Sequence, residues 1–141
     1  MEQAIKSKFG EVLCANRKII LYAVAPYPSS GENYVHSYGA AEIMICADSP
    51  KQVFIEVLTH EFGEVFARFN HLYYEPNCPS YSLENMDLDV LIMPHPSWTI
   101  FHQEQASLLM RLGRLYAAYI QTSARITLKR AKAIRAKGRR Q

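Results

Sequence analysis

Residues 49–69 are written for one long amphipathic helix, and that segment constrains the fold more than any other. Ser49, Pro50 and Gln52 form a start signal: a serine N-cap, a proline at the first helical position, and a glutamine at N3 that completes a capping box. Beyond it, Phe54, Val57, Leu58, Phe62, Val65, Phe66 and Phe69 recur at three- and four-residue steps with no proline among them. Such a helix carries a broad apolar stripe that must be covered by another layer.

The flanking sequence supplies that layer. Residues 18–25 are a β-branched and aromatic run that ends at Pro26, and residues 42–46 are a second short apolar run; both read as strands. Residues 26–39, with two prolines, two glycines and three serines, read as an exposed connection, with an additional edge strand around residues 34–38. At the N-terminus Ala4, Ile5, Phe9, Val12 and Leu13 lie at roughly helical spacing, so a helix is expected over residues 2–15. The order is then helix, strands, helix. A final helix is expected over residues 104–122, where Leu108, Leu109, Leu112, Leu115, Tyr116, Tyr119 and Ile120 form a stripe, with room to extend into the segment that follows.

The residues with chemical potential sit inside the first strong helix. His60 and Glu64 are four apart, offset by about 40° around an ideal helix, and Glu61 is displaced from His60 by about 100°. An imidazole and a carboxylate on adjacent turns can share one metal ion, and a second carboxylate beside them can act on a water bound there. In the zinc-hydrolase helix H-E-x-x-H, two histidines hold zinc and the glutamate is the general base. Here Glu64 stands where the second histidine would be, and glutamate is itself a competent zinc ligand.

A helix bearing His-Glu about a dozen residues after a hydrophobic strand resembles the compact zincin metallopeptidases, over roughly residues 1–94. Residues 83–94 are also similar to a downstream segment of small phage-associated and stress-response zincins, which carries a glutamate ligand and closes in Leu-Leu-Met-Pro; here the ending is Leu91-Ile92-Met93-Pro94. The resemblance implies a small α+β zincin-like domain with a short sheet, a motif-bearing helix and a long C-terminal helix. It implies zinc held by His60, Glu64 and Glu84, with Glu61 as catalytic base acting on a peptide or protein substrate. Asp87 and His71 remain physical alternatives to Glu84, since carboxylate and imidazole both suit zinc. Two anionic ligands make a zinc-bound water less acidic than a histidine-rich site does. The same residues therefore also fit a fold kept for binding after catalysis is lost.

Charge divides the chain in two. Residues 125–141 hold eight of the sixteen cations and no acid, a formal +8, whereas residues 1–124 hold the other eight cations against all thirteen acids, a formal −5. The first part is expected to be the zincin-like α+β domain, including the start of the C-terminal helix, and the second a basic tail or helix extension. Such a segment attracts phosphate backbones, anionic lipid or an acidic protein surface, and it has no aromatic residue for base stacking. This supports an alternative reading: a non-enzymatic assembly subunit of a phage particle or other large complex, with non-specific nucleic-acid contact through the tail.

The remaining signals set bounds. No apolar run approaches the roughly 20 residues that span a bilayer, and no cationic region precedes a hydrophobic signal core, so a cytoplasmic or virion-associated location is expected. Cys14, Cys46 and Cys78 are widely spaced and read as reduced thiols. Residues 73–81 read as an aromatic loop that can wall a pocket, and residues 94–98 as a rigid turn carrying the single tryptophan. His95 and His102 read as satisfied or exposed histidines. Neither a glycine-rich phosphate loop nor a G-x-S-x-G elbow occurs.

Overall fold

A computed structural model describes residues 2–14, 16–36, 39–69 and 95–140, with the side chains of 95–99 and 140 left out. Four strands and two helices follow in the order β1 (Ile5–Cys14), β2 (Arg17–Ala25), β3 (Gly31–Val35), β4 (Ala41–Cys46), α1 (Lys51–Phe69) and α2 (His95–Arg140). The strands form one sheet in the order β1-β2-β4-β3; β2 and β4 are parallel, and the two outer pairs are antiparallel. The class is α+β, as the sequence implies.

The N-terminal segment is a strand and not the expected helix. β1 pairs with β2 along its whole length, but the register shifts between Lys8 and Gly10. This bulge inserts one residue into an alternating strand. The inward side chains Phe9, Val12 and Cys14 are therefore spaced by three and then two, and with Ile5 four residues before Phe9 the run imitates a helical period. Leu13, which a helix would have placed on the apolar face, is 57% exposed. Asn16, at φ 61°, makes the tight return into β2. The edge strand is present but lies at Gly31–Val35, ahead of the expected position and inside the segment read as a connection.

The inward face of the sheet is a continuous apolar surface because the registers align it. Ile19, Leu21 and Ala23 of β2 stand beside Ala41, Ile43 and Ile45 of β4, and all six are fully buried. Both helices pack on this face, α1 chiefly over β3 and β4 and α2 chiefly over β1 and β2. From α1, Phe54, Leu58, Phe62, Val65, Phe66 and Phe69 are buried, as the three- and four-residue spacing requires. From α2, Phe101, Leu108 and Leu115 recur every seven residues, joined by Tyr119 and Ile126 one helical step away. That seam is narrower than the expected stripe, for Leu109 and Ile120 are each 48% exposed.

α2 starts earlier than expected and, at its other end, takes the helix extension offered for the basic segment. It begins at His95, so residues 95–98 of the segment read as a rigid turn are helical backbone, with Pro96 in the first turn where a missing amide donor is tolerated. It also continues unbroken past residue 124 through the basic segment. At its middle it fastens the turn that launches α1. Tyr119 Oη accepts the Ser49 amide N–H at 2.8 Å and donates to the Cys46 carbonyl, while Ser123 Oγ accepts the Asp48 amide N–H at 3.1 Å. The Ser49 hydroxyl is turned to the Cys46 carbonyl at 2.7 Å, and the first helical bond runs from Phe54 N–H to the Pro50 carbonyl. Pro50 thus holds the capping position, one residue later than the sequence signal places it. Among the described residues no helix is long and apolar enough to cross a membrane.

Candidate metal centre

The close approach of β3 to α1 builds the site. A Cβ on Gly31 would stand 2.2 Å from Val57 Cγ1 and 3.0 Å from the Met44 carbonyl oxygen, so only glycine lets the edge strand lie this near the helix. Two residues along β3, on the same side of the pleat, is Asn33; one and two turns along α1 from Val57 are Glu61 and Glu64. The strand thereby carries the Asn33 amide onto the two carboxylates.

His60, Glu61 and Glu64 each offer a ligand atom, and these atoms all lie within 4.8 Å of one another. His60 Nε2 is 3.0 Å from Glu64 Oε1, and the Asn33 amide nitrogen donates to Glu64 Oε2 at 2.5 Å and to Glu61 Oε2. Both carboxylates are almost sealed from solvent, Glu61 at 7% and Glu64 at 5% exposure. They face a cleft of about 540 Å³ lined also by Glu32, Glu56 and Arg68. Four carboxylates against one guanidinium and one imidazole make the cleft a place for a cation.

Electrostatics of the bare residues say the same. Burial pushes the Glu61 carboxyl above the usual carboxylate range; the Asn33 amide opposes this, Glu64 beside it reinforces it, and His60 draws it back. The two buried acids share one neutral amide donor, and only Glu64 has the His60 ring beside it as well. Burial likewise raises Tyr27, followed by the neighbouring carboxylates of Glu32 and Glu61. Asn33 Oδ1 is buried and lacks a hydrogen-bond partner among the described residues. A cation between the acids would neutralise both. The donor set of imidazole and carboxylates suits zinc and other first-row divalent ions. Ligands bonded at about 2.0–2.2 Å to one ion sit within roughly 4 Å of each other, so only a small closure of the side chains is needed.

His60, Glu61 and Glu64 are therefore together and can hold a metal ion. Glu84, the ligand implied by resemblance, and its alternatives Asp87 and His71 lie outside the described residues, as do Cys78 and the aromatic loop at 73–81. His102 is exposed at the surface of α2, against the Phe101 ring. The two described cysteines are free thiols; Cys14 is buried, and its pKa is pushed up to about 12 by burial and then by Glu104. Sequence reading missed Asn33 altogether. Its only signal was the alternation of Gly31, Asn33 and Val35, three residues on one side of a strand that composition disguised as a loop. Comparison of the chain with protein-family models, with curated proteins and with solved structures found no match in any of the three.

Proposed function

We propose that the protein is a zinc-dependent peptidase, or a descendant of one, with His60 and Glu64 as metal ligands, Glu84 completing the set, and Glu61 as general base. One observation carries the reading: an imidazole and two nearly sealed carboxylates converge in a cleft beside β3, whose outer edge is unpaired among the described residues. An extended peptide can add to such an edge by main-chain hydrogen bonds, which brings a backbone carbonyl alongside the cleft. When bound, zinc supplies a Lewis acid that makes a water nucleophilic near neutral pH. Glu61 would take the proton of the attacking water and deliver it to the leaving amine. Asn33 holds Glu61 and Glu64 at a fixed separation, and Arg68 and Glu56 set the charge at the cleft walls.

The test is turnover by the zinc-loaded protein on a library of unstructured peptides, beside Glu61→Gln. The variant should keep its zinc and lose at least about 100-fold in kcat/KM. Equal activity in the two proteins would remove Glu61 from the chemistry, and a zinc-loaded wild type that cleaves nothing would leave a metal-holding scaffold. That second reading, an assembly subunit, draws its own support from the long exposed end of α2.

A further inference from the structure

The last turns of α2 carry five cations that pair with no acid among the described residues. They are Arg125, Lys129, Lys132, Arg135 and Arg139, and all of them are exposed. At about 100° per residue these five fall within an arc of about 120°, whose mean direction is turned about 120° from the seam of Leu115, Tyr119 and Ile126. They run for about 21 Å along the helix. The other two described cations of the segment behave differently. Arg130 and Lys137 lie within about 40° of the seam direction, where Arg130 bonds both oxygens of Glu2, at 2.6 and 3.1 Å, and Lys137 adds its field to the same carboxylate.

We propose that this stripe is a docking surface for duplex nucleic acid that grips the phosphodiester backbone without reading bases. A duplex presents about one negative charge per 1.7 Å of axis, so a row of five cations spaced about 5 Å apart along one helix face finds a phosphate within reach of each of them. The absence of any aromatic residue in 125–141 leaves no platform for the bases of a single strand. A lipid surface needs a continuous apolar face, and here the exposed Leu128 and Ile134 point about 120° apart. A protein partner needs an apolar centre within its contact, and the stripe offers only Leu128 and the small Ala136. The proposal stands on the arm and is independent of the metal site.

The test is fluorescence anisotropy of the full chain with a labelled 20-base-pair duplex of arbitrary sequence. Five phosphate contacts give a slope of log K against log salt near −4.5, a loss of about 500-fold between 50 and 200 mM. Two double variants remove equal charge: Lys129→Gln with Lys132→Gln on the stripe, and Arg130→Gln with Lys137→Gln beside the seam. The first should weaken binding at least about tenfold at 100 mM salt and flatten the slope by about two; the second should stay within about threefold of wild type. Circular dichroism confirms that both keep the helix. Equal losses would reduce the effect to net charge and overturn the stripe. So would failure to bind at 50 mM, tighter binding to vesicles of anionic lipid, or salt-sensitive self-association in place of duplex binding.

Discussion

The two helices lie on one face of the same sheet and treat their polar residues in opposite ways. α1 folds two carboxylates inward until they are almost dry and sets an asparagine from a neighbouring strand against them. α2 buries a narrow apolar seam and then runs its cations out into water. Burying an acid is unfavourable unless something compensates it, whereas an exposed lysine or arginine costs almost nothing. The inward acids therefore point to a ligand bound inside the molecule and the outward cations to a partner met outside it.

The largest expected effect breaks the first half of that contrast. Gly31→Ala puts a methyl group against Val57 and forces β3 from α1, which should cost about 1–3 kcal/mol of stability. It should also weaken metal binding at least about tenfold, because Asn33 moves away from both acids. Adding Val57→Ala should restore most of both, measured by thermal melts and zinc titration; no response to Gly31→Ala would show that the strand does not set the site. Next in size is Tyr119→Phe. It leaves the Ser49 amide and the Cys46 carbonyl without their partner, for a loss of about 2 kcal/mol and roughly 7 °C in Tm. An unchanged melt would mean that α2 does not fasten the start of α1. The smallest effect sharpens the second half. Ending the chain after Ala131 removes residues that are exposed from 132 to 139 and should change stability by under about 0.5 kcal/mol while duplex binding falls away. A large drop in Tm would make the arm part of the fold.

How far the sequence disclosed this architecture depended on whether a period survived intact. α1 was legible because its apolar residues keep helical steps from Phe54 to Phe69, and β2 and β4 because their runs are short, branched and bounded. β1 was misread because the bulge at Gly10 adds one residue and turns a two-residue alternation into something like a helical one. The start of α2 was hidden by Pro96, which a first helical turn accepts. His60, Glu61 and Glu64 were visible as a local pattern, since neighbouring turns of one helix bring them together whatever the rest of the chain does. Asn33 was not, because its role depends on a strand pairing and on a glycine contact that no local spacing encodes.

The most direct measurement is zinc stoichiometry by elemental analysis after reconstitution and exhaustive dialysis, on wild type and on His60→Ala with Glu64→Gln. One zinc per chain in the wild type and less than a tenth of that in the double variant is the expected result. Zinc no higher in the wild type than in the variant would contradict a metal centre on α1.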